Sequence, residues 1–463
     1  MSSRRKFLKN LGTAAAALPL SSFTNISEEE IEKRILPYNR KYSANDTIRI
    51  GCIGMGIMGV SNARIATKIP GVELVAVADL YKGRLERTKE VYGSQIFTTQ
   101  NYEEILNRKD IDAVIVSTSD NWHDRIVIDA LRKDKAVYCE KPMVHKIDQG
   151  LDVIKAQRET NGILQIGSQR VSSIVFAKAK ELYKAGEIGQ LNCIEAAFDR
   201  HSALGAWQYT MPLDASEKTV AWKKYLRDNK NKPFDPKQFF WWRNYKEYGT
   251  GVAGDLFVHL LSGIHFITDS YGPSQIFATG DLSYWKDGRN VPDVMTGVMQ
   301  YAATDKHPAF QVLLKVNLAS GEKNEIGKTR FYGTEGVIDF KGNGFELRRN
   351  KLAKAPGYGG WDALETYPTA MQAEIKNSYN KKYSDEDKKA PSLNSISFNA
   401  PAGYSENLDH HTNFFESVRT KKPVIEDGAF GFRAAAPCLA ANDSYFQKKV
   451  IKWDPVNMKI TSP

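Results

Sequence analysis

The string Gly54-Met55-Gly56-Ile57-Met58-Gly59, with Asp79 twenty residues beyond its last glycine, is the part of this chain whose spacing most directly implies chemistry. Gly54 and Gly56 let a backbone turn tightly and approach a pyrophosphate, and Ile57, Met58 and Gly59 open a helix whose unpaired N–H groups and positive dipole end favour the phosphates. Asp79 ends the next apolar run, where a carboxylate accepts hydrogen bonds from an adenosine ribose and repels a 2′-phosphate. The expected cofactor is therefore NAD rather than NADP, with Lys82 and Arg84 close enough to soften that preference.

Holding such a turn requires a parallel sheet, and the chain has the pattern for one. From Thr47 to about Gly167, short apolar runs (Ile48–Ile53, Val72–Ala78, Ala113–Ser117, Ala136–Cys139, Leu164–Gly167) alternate with amphipathic segments such as Arg84–Tyr92 and Asp124–Arg132. This alternation predicts a doubly wound α/β Rossmann sheet over residues 47–168. After Leu191 the runs lengthen and alternate (Leu191–Phe198, Gln275–Leu282, Val294–Ala302, Ala309–Leu318, Thr329–Gly333), which predicts an α+β domain with a large, mostly antiparallel sheet over residues 169–463. Thr210–Gln238 and Lys351–Ser405 are too long for turns and read as lids, oligomer arms or surface decoration.

Ahead of both domains stands Ser3-Arg4-Arg5-Lys6-Phe7-Leu8-Lys9, followed by a small apolar run from Leu11 to Leu20. This reads as a twin-arginine signal over residues 1–26, with a polar arm over residues 27–46. The twin-arginine machinery carries folded proteins, so the expectation is a periplasmic or otherwise exported protein that carries its nucleotide tightly bound. No segment predicts a membrane span or stable membrane anchor. The net charge of +10 falls to +6 once Arg4, Arg5, Lys6 and Lys9 are set aside, and no basic cluster with spaced aromatics points to nucleic acid. Cys52, Cys139, Cys193 and Cys438 are widely separated and read as core filler. His410-His411 lacks further ligands at a recognised spacing, so no metal site is predicted.

Further landmarks are Ser117-Thr118-Ser119-Asp120-Asn121-Trp122-His123, Glu140-Lys141-Pro142-Met143 and Gly251-Val252-Ala253-Gly254-Asp255-Leu256-Phe257-Val258-His259. With the glycine fingerprint, they resemble the Gfo/Idh/MocA oxidoreductases, the family of glucose–fructose oxidoreductase and inositol dehydrogenase. The resemblance runs from Thr47 to Pro455. It implies a Rossmann domain, an open antiparallel sheet used for oligomer contacts in a homodimer or homotetramer, and a catalytic group at Lys141, Asp255 and His259. Oxidising a secondary alcohol needs a base for the hydroxyl proton, which His259 supplies near neutrality, with His265 the alternative. Lys141 would stabilise the developing alkoxide, and Asp255 would orient or charge-balance His259. Ser117, Thr118, Asn121, His123, Glu140, Lys141 and Gln169 complete the expected cofactor contacts. Arg170, Trp242, Arg243 and Tyr245 are the expected substrate contacts.

The function these features imply is NAD-dependent oxidation of a secondary hydroxyl, such as C3, of a sugar or glycoside. Two alternatives stay open. One is a redox-assisted glycosidase or lyase that cleaves through a transient keto-sugar and recycles NAD, with Tyr245 or a histidine as second base; the other is a non-catalytic sugar-binding protein.

Overall fold

Six short strands come first in the chain: β1 (Ile48–Ile53), β2 (Val72–Ala78), β3 (Phe97–Thr99), β4 (Ala113–Val116), β5 (Ala136–Cys139) and β6 (Leu164–Ile166). The computed structural model describes residues 47–227, 231–321 and 326–461; the predicted leader and polar arm lie outside them. The six strands form one sheet in the order β3-β2-β1-β4-β5-β6, parallel throughout. β4 and β5 are buried at every position, as expected for strands covered by helices on both faces. The order reverses between β1 and β4, and the crevice beyond the carboxyl ends of those strands is where such folds bind ligands.

The second sheet has ten strands in the order β14-β13-β12-β11-β7-β10-β9-β8-β15-β16. Its members are β7 (Leu191–Phe198), β8 (Gln275–Asp281), β9 (Val294–Tyr301), β10 (Phe310–Asn317), β11 (Ile326–Gly333), β12 (Gly336–Lys341), β13 (Gly344–Arg349), β14 (Ile396–Asn399), β15 (Ile451–Asp454) and β16 (Lys459–Thr461). One pair, β7 with β10, runs parallel, and the sheet is otherwise antiparallel, as expected. In β9 and β10 buried and exposed side chains alternate, which leaves one face packed and the other open. The helices Ile174–Lys184, Val258–Thr268 and Gly428–Gln447 cover the packed face. The predicted α/β plus α+β architecture is thus the observed one, although β3, β12, β13, β14, β15 and β16 are additions to the expected strands. All four cysteines are free, and Cys52, Cys139 and Cys438 are buried.

The long segment before the helix Val258–Thr268 is neither decoration nor a detached arm. Its Val220 forms a bridge with Tyr81, Lys82 N–H donates to the Thr219 carbonyl (2.9 Å), and Ala221 N–H donates to the Leu80 carbonyl (2.8 Å). Arg227 donates both terminal nitrogens to the Asp124 carboxylate (2.6 and 3.0 Å) and one of them to the Asn121 carbonyl (2.7 Å). A separate aromatic cluster holds this strap together, built on Trp222, Tyr225, Phe239, Phe240, Tyr245 and Tyr248. The strap spans from the loop after β2 to the loop after β4, across the crevice.

His410 and His411 belong to the packing of the helix Glu406–Thr420. His410 bonds Ser172 Oγ and the Ile166 carbonyl (both 2.7 Å), and His411 stacks on Tyr138 with ring centroids 4.4 Å apart.

Candidate active site

The crevice and its strap enclose a cavity of about 720 Å³ lined by Gly54, Gly56, Ile57, Met58, Asp79, Arg84, Ser117, Thr118, Lys141 and Arg243, among others. At its glycine end the backbone is shaped for a phosphate. Gly54 has φ +90°, and a Cβ there would stand 2.6 Å from the Ser117 carbonyl oxygen; a Cβ on Gly59 would collide with the Gly54 carbonyl. Gly59 itself is buried against that turn and keeps the helix Ile57–Ala66 close to the sheet. Gly56 is the N-cap and the helix carries no capping side chain, so its first N–H groups face the cavity. Gly59→Ala is expected to break this contact and lower the cofactor content of purified protein to roughly one tenth or less. The NAD-to-protein ratio after denaturation checks it.

Asp79 lines the cavity at the end of β2. Its carboxylate accepts from Met55 N–H (2.7 Å) and Tyr81 N–H (2.8 Å), and Arg84 lies 3.4 Å away. A carboxylate has about four lone-pair positions, so room remains for a ribose hydroxyl. Arg84 also sits over Phe239 and Phe240 of the strap at 5.9 and 5.6 Å. Turn, open helix start and ribose acid together fit a dinucleotide.

Beyond the ends of β4 and β5 the wall becomes polar and buried. Asn62, on the helix after the glycine turn, donates to Glu140 Oε1 (2.8 Å) and Ser117 Oγ (3.1 Å). Burial pushes the Glu140 carboxyl up. His123 bonds the Pro142 carbonyl through Nδ1 (2.8 Å), beside the cis Lys141–Pro142 peptide. Asp120, a residue the spacing did not single out as functional, accepts from both Thr250 N–H (3.0 Å) and Thr250 Oγ1 (2.8 Å). It thereby ties the loop after β4 to the entry of the helix that carries Asp255 and His259.

That helix starts at Gly251, turns wide in a π segment over Ala253–Phe257 and continues as Val258–Thr268. Asp255 stands inside it rather than at its cap. In the wide turn it offers two acceptors to Lys141, whose Nζ donates to the carboxylate at 2.9 Å and to the backbone carbonyl at 3.0 Å. Arg243 Nε adds a third contact to the carboxylate at 3.2 Å. Burial would raise the Asp255 carboxyl, but Lys141 and Arg243 hold it well below the usual carboxylate range. The structure shows no Asp255–His259 hydrogen bond, so Asp255 orients Lys141 and Arg243 rather than the histidine.

His259 stacks on Phe198 with ring centroids 5.5 Å apart, and neither ring nitrogen has a hydrogen-bond partner among the described residues. Desolvation, then the Lys141 charge, pushes it well below the ordinary histidine value, so the resting ring is neutral. The alternative base, His265, is buried and bonded to the Tyr301 hydroxyl (2.9 Å), with burial pushing it down to about 3.

Several expected contacts lie outside the cavity lining. Tyr245 packs into the strap's aromatic cluster, away from that lining. Gln169 reaches the Tyr138 hydroxyl (3.4 Å), Asn121 accepts from Ser119 Oγ (2.7 Å), and Arg170 covers the Phe176 ring at 5.4 Å. His259 is also outside that volume, on the side of the second domain. Trp242 and Arg243 do line it, and so does Tyr209, which no spacing flagged because it sits in a polar stretch without a motif.

A dinucleotide crevice leading to a lysine, a neutral histidine and a buried carboxylate defines a Rossmann-type dehydrogenase scaffold. The family described as "oxidoreductase family, NAD-binding Rossmann fold" matches residues 48–168, and its companion, "oxidoreductase family, C-terminal alpha/beta domain", matches residues 180–453. The chain belongs to this family, Gfo/Idh/MocA. Inositol 2-dehydrogenase of Salmonella paratyphi B is 33% identical over 147 residues, covering 31% of this chain and 44% of the relative. A glycosyl hydrolase family 109 protein of Shewanella pealeana is 25% identical over 250 residues, 49% of this chain and 51% of the relative. The chain thus spans about half or less of the length of these curated relatives. Levoglucosan dehydrogenase, solved with NADH and levoglucosan, superposes with a TM-score of 0.61 at 17% identity, over 88% of this chain and 99% of that one; at that identity the likeness is one of fold.

Proposed function

We propose that this protein oxidises a secondary hydroxyl of a sugar or glycoside, with Lys141 and His259 as the groups that meet the reacting carbon's substituents. The observation that carries this reading is the pairing of a neutral, unbonded His259 with a Lys141 locked by two bonds to Asp255. The glycine turn, Asp79, Ser117, Thr118 and Glu140 would hold NAD, which supplies the hydride acceptor when bound. His259 takes the hydroxyl proton on a free ring nitrogen. Lys141 keeps its ammonium beside the oxygen that becomes negative and donates a charge-assisted hydrogen bond there. The inositol dehydrogenases among its relatives support this polyol chemistry. The test is to denature purified protein, identify the released nucleotide by mass, and follow reduced-nicotinamide absorbance with a panel of sugars and glycosides. No nucleotide, and no response to added NAD, would leave only the sugar-binding alternative.

The strap supports tight retention of the cofactor, because Tyr225, Phe239 and Phe240 roof the same cavity that Asp79 and Gly56 floor. Retention suits the export that the twin-arginine leader suggests, since free NAD is scarce outside the cytoplasm. The open face of the second sheet, where Phe277, Val298 and Leu313 lie side by side on β8, β9 and β10, suits a homo-oligomer.

The pH profile follows from His259. Only the neutral ring accepts a proton, and its surroundings push its pKa below the ordinary value of 6.5. The acid limb of kcat/KM is expected below that value. In Lys141→Met, which removes a like charge, the limb should move to higher pH, measured on whatever activity remains.

Oxidation at C3 followed by elimination is the second reading, supported by Tyr209, which lines the cavity near Arg243 and Asp255 and would serve as the second base. The relative of glycosyl hydrolase family 109 points the same way. Glycosidic cleavage without net NADH, lost in Tyr209→Phe, would establish it; NADH accumulating with the glycoside intact would exclude it.

A further inference from the structure

Beyond Lys141 the second domain brings two guanidinium groups: Arg243 lines the cavity, and Arg200 stands outside that lining, beside the Phe198 ring on which His259 stacks. Arg243 lies over Trp242 at 4.1 Å and spends its Nε on Asp255, and its two terminal nitrogens have no partner among the described residues. Its side chain is 19% exposed, enough to present that edge to the cavity it lines. Arg200 lies over Phe198, the ring that also stacks on His259, at 5.2 Å and gives Nη1 to the Gly205 carbonyl at 3.0 Å. Its Nη2 has no partner among the described residues. The two arginines feel each other's charge and share Asp255 and Tyr209 as neighbours.

Within the second domain two guanidinium groups share one carboxylate, while Asp120 and Glu140, on the Rossmann side with Lys141, also feel Arg243. Asp255 is the carboxylate that meets Lys141, Arg243 and Arg200, and it is already bonded to the first two. Asp120 and Glu140 stand on the Rossmann side, bonded to Thr250 and Asn62. Gathering cations in a partly buried pocket is costly unless an anion joins them. A planar guanidinium edge, fixed by stacking on an aromatic ring, matches the two oxygens of a carboxylate. A neutral polyol needs no such edge.

We propose that the sugar accepted at this site carries a carboxylate, as a uronate or uronate glycoside does, and that Arg243 and Arg200 bind it while His259 and Lys141 face the hydroxyl to be oxidised. The proposal rests on the oxidoreductase reading above and narrows its substrate class.

The test uses the full chain with NAD and matched pairs: glucose with glucuronate, galactose with galacturonate, and their methyl glycosides. Each is followed by nicotinamide reduction and, separately, by calorimetric titration. The carboxylated member is expected to be favoured by about thirtyfold or more, and Arg200→Gln should remove most of that ratio, with Arg200→Lys restoring part of it. Melting temperature identifies a variant that has failed to fold, in which case Arg200→Lys carries the comparison. Equal use of both members, a ratio unchanged in both Arg200 variants, preference for sugar phosphates or sulfates over uronates, or no binding of any uronate would each overturn the proposal. The two readings fail differently. Oxidation of neutral sugars alone sinks the carboxylate and keeps the oxidoreductase, whereas uronate binding with no hydride transfer keeps the carboxylate site and sinks the oxidoreductase.

Discussion

His259→Asn is expected to lower turnover by roughly 10²–10⁴-fold, the range lost when a positioned general base is removed, while the purified protein keeps its NAD. The amide is close to the imidazole in size, so the stack on Phe198 loses little area. What disappears is the unbonded nitrogen that accepts a proton, because the Asn nitrogen is a donor and its oxygen is a weak base. Single-turnover reduction of the bound cofactor, measured beside its content by mass, checks this. Near-normal turnover with the cofactor intact would show that His259 is packing and that another group takes the proton.

Lys141→Met should be the other large change, and on two separate readouts. Lys141 and Asp255 have side-chain exposures of 7% and 5%, so their contact is screened little by solvent. Removing the ammonium leaves a buried carboxylate with Arg243 Nε as its remaining charged partner, at a cost of about 3 kcal/mol in unfolding free energy. Activity should fall roughly 10²–10³-fold as well, because the donor to the developing alkoxide is gone. The double change Lys141→Met with Asp255→Leu separates the two effects. It should regain part of the stability, since the buried carboxylate is gone although Arg243 loses its partner, and regain none of the activity. Chemical denaturation and steady-state rates on the same preparations give both numbers. If the double variant recovers activity, Lys141 is structural.

Much of the Rossmann half was legible before any coordinates. The glycine string, the strand before it, the helix after it and Asp79 form one local unit whose geometry follows from spacing. In the structure Gly54 has φ +90° and the helix after the turn starts without a capping side chain, a shape that fits a phosphate. β3 escaped because three residues carry no period, and β12–β14 escaped because a long insertion between β13 and β14 breaks the pattern of the sheet's edge. The strap is the clearest case of what composition hides. Its polar, lysine-rich stretch reads as surface, yet Val220, Trp222 and Tyr225 are buried, because its few aromatics pack together and its backbone bonds to Leu80 and Lys82. Tyr245 and Tyr209 make the same point within the site. Both are tyrosines of the segment between β7 and the helix Val258–Thr268, but one packs into the aromatic cluster and the other lines the cavity.

By itself the sequence determined the cofactor class, the parallel sheet that holds it and the motifs bearing Lys141, Asp255 and His259, because turns, helix faces and strand ends depend on neighbours only a few residues apart. Only the tertiary structure decided that Asp255 answers to Lys141 and Arg243 rather than to His259, that a strap closes the crevice, and that Arg243 lines the cavity. Lys141 and Asp255 are 114 residues apart, and contact over such a separation is set by how two sheets and their helices pack, which no local spacing encodes.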